Sequence, residues 1–398
     1  MHRFVQRRSF SIESVSKTAI TIAGLGPKPV SFRHFFLRDG SQSPEAVDPN
    51  TRQKTFNTGS LNADVRPNFA VVDNNSLVVD WSDGHRSVYS KEWLERYSSA
   101  EATVDYRRLQ EWKPLSGDSK VQKVEYKDYI KGHGAGYKEA LEALNEYGLL
   151  QITGIPHGEG TPRPTVESIA AVIGEFPRQT FYGTSWNVKS VQQPRNVAYT
   201  SVYLPLHMDL LYYESPPGLQ FLHVVENSTT GGESIFADSY AAAIDVSAND
   251  PEAYQAICEV PLTYHYENDG RHYFQMRPMI VESKYGKIDK NTGRPFIDHL
   301  NYSPPFQGPL DAVRDISDAK LDAFLRGLKR FEAFIGDPRN QLEFRMNPGT
   351  CIVFHNRRVL HARREFDASS GSRWFKGTYV DIDAFYSALR TFTKKKNN

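Results

Sequence analysis

The segment YLPLHMDLLYYE, residues 203–214, lies near the beginning of a long series of short predicted strands. His207 and Asp209 stand two residues apart in this segment, so in a strand both side chains project from the same face. An imidazole and a carboxylate placed side by side can bind one metal cation. Taken alone the spacing is a weak signal, because a surface ion pair or a turn produces it far more often.

Outward from this segment, the chain from Asn196 onward has the pattern of a strand-rich domain. Two helices are predicted to interrupt the strands, near residues 239–245 and 318–335. The predicted strands are NVAYTS, GLQFLHVVE, ESIFADS, CEVPLTYHYEND, RHYFQMRPMIVE, GTCIVFHNRRVLHA and RWFKGTYVDID. Many strands with helical insertions predict a mostly β domain, a double-stranded β-helix or jelly roll. The mouth of such a barrel is a natural ligand cavity.

A third metal ligand is expected late in the chain. Two histidines and one carboxylate form a facial triad that leaves three positions open on iron(II), as oxygen activation requires. The segment TCIVFHNRRVLHARREF, residues 350–366, offers His355 and His361. Strand alternation does not separate the two histidines because they share parity. We select His361 because a basic strand returns after the turn DASSGS.

That returning strand, RWFKGTYVD, contains Arg373 and Tyr379 on one face. A fixed guanidinium beside a ferrous site suits a dicarboxylate such as 2-oxoglutarate, whose distal carboxylate it can bind through two hydrogen bonds. Ser234, in GGESIFAD, is a candidate second donor to that carboxylate. An ordinary strand serine is the commoner explanation for Ser234.

The sequence also predicts the domain organisation. Residues 1–17 carry three arginines, one lysine and one acid, which suits a mitochondrial transit peptide or an untargeted basic start, the latter leaving the protein cytoplasmic. The remaining divisions are a small β-rich domain over 18–97, a linker over 98–125, the jelly-roll domain over 126–390 and a basic tail over 391–398. The jelly-roll domain is expected to begin with helices in 137–148, ending at Gly148 as C-cap, and in 165–176, with Thr165 as N-cap.

Composition excludes several functional classes. Lys+Arg 48 against Asp+Glu 47 gives a net charge of +1, without the basic face that nucleic-acid binding needs. The chain has no run of 18 apolar residues that would predict a membrane span. Its two cysteines cannot build a disulfide framework, which favours a reducing intracellular compartment. The oligomeric state stays open, a homodimer included.

The motifs together resemble a known family. The pattern NVAYT…H-x-D…PPG-x-Q…GG-x-S…VLH-x-R…GSR-x₃-G-x-Y-x-D is similar to that of the gamma-butyrobetaine and trimethyllysine dioxygenases, within the taurine dioxygenase-like superfamily. The early segments HFFLRDG…DPNTRQKTF and VDWSDGHRSVYSKEWL resemble that family's small N-terminal domain. The resemblance therefore covers nearly the whole chain.

The resemblance implies roles for particular residues. His207, Asp209 and His361 match the iron ligands, while Arg373 and Ser234 match the positions that bind 2-oxoglutarate. The family surrounds the trimethylammonium head of its substrate with a cage of aromatic rings. A single aromatic residue taken alone is more often part of the hydrophobic core than of such a cage. The matching cage positions here are Tyr182, Trp186, Tyr199 and Tyr379, and Asn196 matches a contact to the substrate carboxylate.

The resemblance also implies cofactors, with one departure. Iron(II), 2-oxoglutarate and O₂ are expected, with ascorbate as reductant. The family's N-terminal domain binds a structural zinc through three cysteines and a histidine. Here the corresponding loop, LRDGSQSPEAVDP, has no cysteine, and His85 alone cannot hold a site that takes four ligands. We therefore expect no structural zinc.

The implied activity is hydroxylation of gamma-butyrobetaine to carnitine, with succinate and CO₂ as coproducts. The segment YYESPPGLQ, residues 212–220, is closer to that of the gamma-butyrobetaine enzymes than to that of the trimethyllysine enzymes. One alternative keeps the chemistry with trimethyllysine or another specialised small substrate. A second is a pseudoenzyme that binds quaternary ammonium compounds without turnover, and the intact triad argues against it.

Overall fold

The computed structural model describes residues 9–99, 114–115, 121–158, 160–189, 201–283, 288 and 293–394. Asn196, Tyr199, the first part of the segment considered for targeting and most of the predicted linker lie outside the described residues. The described residues divide near residue 108 into two compact units. No helix in the described part of the chain combines the length and apolarity that crossing a membrane requires.

The first unit consists of two three-stranded antiparallel sheets and two short helices. One sheet has the order β1-β2-β3 and the other the order β4-β5-β6. The elements are β1 (Ser11–Val15), β2 (Ala19–Ala23), β3 (Val30–Arg33), α1 (His34–Asp39), β4 (Pro67–Asp73), β5 (Ser76–Trp81), β6 (Arg86–Ser90) and α2 (Lys91–Arg96). Strand β1 begins inside the segment considered for targeting.

Alternation in the strands gives the first unit its core. Ile20 and Ile22 of β2 and Leu77 and Val79 of β5 are fully buried together with Trp81. Residues two apart in a strand share a face, so one face of each sheet is apolar. The core thus follows directly from the period of the sequence.

Serine hydroxyls and the imidazole of His85 form a network at the loop LRDGSQSPEAVDP, which has no cysteine where the family has zinc ligands. The Ser41 and Ser43 hydroxyls lie 2.9 Å and 3.2 Å from Nε2 of His85. The Ser87 hydroxyl donates to Ser41 at 2.9 Å. The hydroxyls of Ser41, Ser43 and Ser87 and the imidazole of His85 therefore form one hydrogen-bonded network.

The second unit contains the remaining elements. Its helices are α3 (Tyr126–Tyr129), α4 (Ala135–Tyr147), α5 (Val166–Gly174), α6 (Ser239–Asn249), α7 (Pro251–Glu259), α8 (Asp318–Gly336) and α9 (Ile382–Lys394). Its strands are β7 (Lys123–Glu125), β8 (Leu149–Thr153), β9 (Ser185–Lys189), β10 (Leu204–His207), β11 (Leu219–Asn227), β12 (Thr230–Gly231), β13 (Ser234–Asp238), β14 (Pro261–Asn268), β15 (Arg271–Pro278), β16 (Ile280–Glu282), β17 (Ile297–Leu300), β18 (Gln341–Phe344), β19 (Cys351–His355), β20 (Val359–Arg363), β21 (Phe366–Asp367) and β22 (Arg373–Val380).

Two sheets form the barrel and confirm the predicted jelly roll. The larger has the order β7-β8-β19-β11-β22-β9 and the smaller the order β10-β20-β13-β18. Phe236 of the smaller sheet and Phe354 of the larger meet edge to face, with ring centroids 5.6 Å apart. Side chains from both sheets interdigitate there in one core.

Alternation in the strands decides what faces the barrel interior. In β13, Ser234 and Phe236 line the interior cavity, while Ile235 and Ala237 pack outward with α6, α7 and α8. Helices α4, α5 and α9 cover the outer face of the larger sheet. The barrel is thus enclosed on both sides, and its interior is lined in part by polar side chains such as Ser234, Gln220 and Arg373.

The helix predictions were right at their caps and incomplete elsewhere. Gly148 ends α4 in the left-handed conformation with φ 70°, and the Thr165 hydroxyl caps α5 by accepting from the Ser168 N–H. Helices α7 and α9 were not predicted. Asp250 and Pro251 provide the start signal of α7, since the Asp250 side chain accepts from the Ala253 N–H and Pro251 occupies the first turn.

Candidate metal centre and its cavity

Adjacent strands of the smaller sheet bring two histidines together. His207 ends β10 and pairs directly with His361 of the antiparallel β20. Their ring centroids lie 4.1 Å apart. Asp209 follows two residues after the end of β10, so it lies in the turn rather than in the strand that the spacing predicted.

The three side chains converge on one point. Nε2 of His207 lies 3.2 Å and Nε2 of His361 lies 3.8 Å from Oδ1 of Asp209. All candidate ligand atoms of the three residues lie within 4.8 Å of one another. Two imidazole nitrogens and one carboxylate oxygen are the donor set that suits iron(II) with open positions. The residues therefore fit the metal that the sequence predicted.

A hydrogen bond at Nδ1 fixes the orientation of the His207 ring. Its Nδ1 lies 2.7 Å from the carbonyl oxygen of Pro205, so Nδ1–H donates to that oxygen. A hydrogen bond at Nδ1 selects the tautomer that leaves Nε2 with a lone pair. His207 is thus prepared to act as a metal ligand through Nε2.

Burial and neighbours set the charge of the centre. Burial would raise the pKa of the Asp209 carboxyl, but hydrogen bonding and electrostatic interaction with His207 and His361, together with the hydrogen bond from Tyr379, outweigh burial and hold the pKa well below its usual range. Burial, followed by repulsion from His207, lowers the pKa of His361 to about 3. An ionised carboxylate beside a neutral imidazole is the protonation state that metal binding needs.

His355, the other histidine considered as third ligand, lies elsewhere. It is buried beside Tyr240, Arg358 and Tyr386, with Nε2 3.4 Å from the Tyr386 hydroxyl oxygen. Of the two late histidines, the structure brings only His361 to His207 and Asp209.

A cavity between the two sheets extends from the triad to a buried arginine. The smaller sheet contributes His361 and Ser234, and the larger sheet contributes Gln220 and Arg373. The other described lining residues are Trp186, Val188, Leu204, His207, Asp209, Leu222, Phe236, Ala362, Arg363 and Phe375. The cavity thus has a metal-ligating end and a cationic end.

Arg373 supplies positive charge to the cavity. Within the described residues Arg373 forms no ion pair, its Nε is buried without a hydrogen-bond partner, and Asp209 is the single carboxylate of the cavity lining. Burial, with added repulsion from Arg363 and Arg345, lowers the pKa of Arg373 to about 9. A buried guanidinium normally has an anionic partner, so the cavity is built to receive an anion.

Ser234 lies where a second donor to that anion would be needed. It begins β13, pairs with Arg363 of β20 and is buried in the cavity wall. The position agrees with the assistance to Arg373 that the sequence suggested, and the role itself stays a prediction.

Three of the four predicted cage rings form one group beside the triad. Trp186 lies 4.2 Å from Tyr379 and 6.3 Å from Tyr182, measured between ring centroids. The Tyr379 hydroxyl donates to Oδ2 of Asp209 at 2.7 Å, so this ring is anchored to the metal centre. Tyr199 and Asn196, the remaining substrate predictions, lie outside the described residues.

Sequence reasoning missed two polar residues of the cavity. Gln220, on β11, is buried with an Oε1 that accepts no hydrogen bond among the described residues. Arg363 follows His361 by two positions in β20, and burial lowers its pKa to about 10. Strand parity with His361 was a signal for Arg363, whereas Gln220 was visible only as the last residue of PPG-x-Q.

Comparisons with known proteins agree with this geometry. Residues 111–379 match the family described as Taurine catabolism dioxygenase TauD, TfdA family, and residues 12–95 match Gamma-butyrobetaine hydroxylase-like, N-terminal. The chain is 34% identical to Dioxygenase str8 of Strobilurus tenacellus, over 94% of this chain and 89% of that protein. It is 31% identical to gamma-butyrobetaine dioxygenase of Pseudomonas sp. (strain AK-1), over 90% and 89% of the two chains. It is 26% identical to mitochondrial trimethyllysine dioxygenase of Mus musculus, over 90% and 82%.

Proposed function

The chain belongs to the taurine catabolism dioxygenase TauD, TfdA family. From this premise we propose that it hydroxylates a small quaternary ammonium compound, and the substrate we favour is gamma-butyrobetaine. Iron(II) and 2-oxoglutarate, when bound, supply the oxidising chemistry that converts O₂, 2-oxoglutarate and a C–H bond into an alcohol, succinate and CO₂. With gamma-butyrobetaine the alcohol is carnitine.

Residues at the two ends of the cavity have different proposed roles. His207, Asp209 and His361 would hold iron(II) at one end. Arg373, assisted by Ser234, would bind the distal carboxylate of 2-oxoglutarate at the other. Strands of the two sheets carry these groups, apart from Asp209 in the turn after β10. Their placement matters because small misplacements of reacting atoms cost large factors in rate.

The grouping of Tyr182, Trp186 and Tyr379 beside the triad carries the substrate proposal. A quaternary ammonium group has no N–H to donate, so the faces of aromatic rings are its best partners. Each such contact contributes from about 0.5 kcal/mol at an exposed site to about 2 kcal/mol when it is desolvated. Because Tyr379 also bonds Asp209, a cation held by these rings would place its neighbouring carbons next to the metal.

The test is succinate formation with iron(II), ascorbate and 2-oxoglutarate, comparing three candidate substrates. These are gamma-butyrobetaine, trimethyllysine and the carbon isostere of gamma-butyrobetaine, in which tert-butyl replaces trimethylammonium. Strong stimulation by gamma-butyrobetaine alone, with carnitine as product, is the expected result. Equal stimulation by the isostere would contradict the cage, and a protein that binds gamma-butyrobetaine without ever forming succinate would be a pseudoenzyme.

The variant Trp186→Ala tests whether this ring of the proposed cage binds the substrate cation. It should raise KM for gamma-butyrobetaine roughly tenfold, as expected for the loss of one strong cation–π contact, while substrate-independent turnover of 2-oxoglutarate continues. Trp374→Ala is the control, because Trp374 belongs to β22 but donates to Asn187 and contacts Lys189 rather than lining the cavity. An unchanged KM in Trp186→Ala would remove the assignment of this ring.

A second candidate keeps the chemistry and changes the substrate. The identity to Dioxygenase str8, a name that states no substrate, is 34%, against 31% for the bacterial gamma-butyrobetaine enzyme. This similarity supports another small molecule as the alternative substrate. The result that would favour it is slow background decay of 2-oxoglutarate that neither gamma-butyrobetaine nor trimethyllysine stimulates.

A further inference from the structure

Asn356 bonds both backbone groups of Asp209. Its Oδ1 accepts from the Asp209 N–H at 2.9 Å, and its Nδ2 donates to the Asp209 carbonyl oxygen at 2.9 Å. Nδ2 also donates to the carbonyl oxygen of Pro217 at 3.2 Å. The side chain is fully buried. The side-chain amide of Asn356 thus bonds the N–H and the carbonyl group of Asp209, as the backbone of a neighbouring strand would.

The backbone at Asp209 needs such support. Strand β10 ends at His207, so the ladder with β20 does not reach Asp209. The next residue, Leu210, is buried and has φ 58°, a left-handed conformation that β-carbon sterics disfavour outside glycine. A residue stays in this conformation only where its surroundings over-determine it. The carboxylate of Asp209 therefore projects from a strained turn rather than from a regular strand.

Asn356 is itself fixed in place. Its N–H donates to the carbonyl oxygen of Gly218 at 2.8 Å, in the turn that leads into β11. A β-carbon on Gly218 would lie 2.3 Å from the backbone nitrogen of Ile382, so this turn is tightly packed. On its C-terminal side Asn356 leads directly into β20, which carries His361. The amide consequently joins the Asp209 turn to both sheets.

From these contacts we propose that Asn356 is a positioning residue for the metal centre. Its side-chain amide sets the direction in which the Asp209 carboxylate projects, without touching the metal. The proposal rests on the proposed function only in taking His207, Asp209 and His361 as the metal ligands. It makes no reference to the organic substrate.

The test measures metal binding rather than turnover. Iron(II) and cobalt(II) are titrated anaerobically into metal-free wild type, Asn356→Ala and Asn356→Leu, without 2-oxoglutarate, alongside thermal unfolding. Loss of a group that orients a metal ligand typically lowers metal affinity about 10–100-fold. We expect both variants to lose affinity by at least tenfold and to show an altered visible spectrum of bound cobalt(II), which reports ligand geometry in the folded fraction.

Asn227→Ala is the control, because Asn227 is also buried and its Nδ2 donates to the Met346 carbonyl oxygen at 2.7 Å, at the cavity end far from the triad. It should lower the melting temperature and leave metal affinity and the cobalt(II) spectrum unchanged. Asn356 variants that lose only melting temperature, with wild-type affinity and spectrum, would overturn the proposal. A wild type that binds neither metal would instead refute the metal centre, so the two failures are distinguishable.

Discussion

The Tyr379 hydroxyl donates a 2.7 Å hydrogen bond to Oδ2 of Asp209, while Oδ1 of the same carboxylate faces the two histidines. Tyr379 is buried, whereas the Asp209 side chain is 16% exposed. Burial and the adjacent carboxylate raise the pKa of Tyr379 well above its ordinary value, so the phenol stays protonated and remains a donor. One ring therefore links metal ligation to the proposed recognition of the substrate cation.

Tyr379→Phe separates these two contributions. The ring remains, so KM for the quaternary ammonium substrate should change little. A hydrogen bond to a charged group contributes about 1.5–3 kcal/mol, and its loss should lower kcat/KM roughly tenfold or more through a less well oriented Asp209. Steady-state kinetics checks this, with Tyr386→Phe as control. A Tyr379→Phe enzyme with unchanged kcat would show that the bond is dispensable.

Arg373→Gln tests the cationic end of the cavity. Removing the guanidinium should raise KM for 2-oxoglutarate by at least tenfold, because two charge-assisted hydrogen bonds to the distal carboxylate are lost. Arg364→Gln is the matched control, since Arg364 forms an exposed ion pair with Glu343. Direct binding of 2-oxoglutarate by calorimetry provides the second measurement. Equal affinity in both variants would place the cosubstrate elsewhere.

Gly377→Ala tests the fit of the cage. A β-carbon on Gly377 would lie 2.5 Å from the indole ring atoms Cε2 and Cζ2 of Trp186, so the indole must shift from its present position. We expect KM for the quaternary ammonium substrate to rise about tenfold, as for the loss of one ring contact, while affinity for 2-oxoglutarate is kept. Gly336→Ala is the control because no atom lies within 4 Å of its added carbon. Unchanged kinetics in Gly377→Ala would show that Trp186 has room to adapt.

Stability of the second unit should fall as the pH falls below neutrality. Burial, with repulsion from nearby positive groups, lowers the pKa of His223 to about 4 and that of His355 to about 3, against 6.5 for an exposed histidine. Between pH 6.5 and these values the unfolded chain binds more protons than the folded chain, so acid favours unfolding. The stabilisation is complete above pH 6.5 and is lost progressively below it.

Denaturant unfolding at a series of pH values checks this expectation. His223→Gln should unfold with a weaker dependence on pH over that interval. His272→Gln, at an exposed site on β15, should keep the wild-type dependence. A wild-type stability that rises as the pH falls from 6.5 to 4 would contradict the sign of the effect.

The period of the strands was enough to predict much of the site. Residues two apart share a face, so the placement of Arg373 and Tyr379 on one face followed from local sequence. The jelly-roll class followed from the number of predicted strands and the helices inserted between them. Asp209 illustrates the limit of that argument. It lies beside His207, as the spacing suggested, but in a turn whose left-handed Leu210 no periodicity indicated.

The sequence by itself thus determined most of the described strands of the barrel, the caps at Gly148 and Thr165, and the candidate donors. The sequence favoured His361 over His355, but strand parity could not separate them, and the tertiary structure supplies the physical reason. Strand β19 belongs to the larger sheet and β20 to the smaller, so the turn between them carries the chain from one sheet to the other. Tertiary structure alone also revealed Asn356, which bonds a residue 147 positions away. Local periodicity reports which face a side chain occupies, whereas contacts between distant segments depend on how the sheets pack.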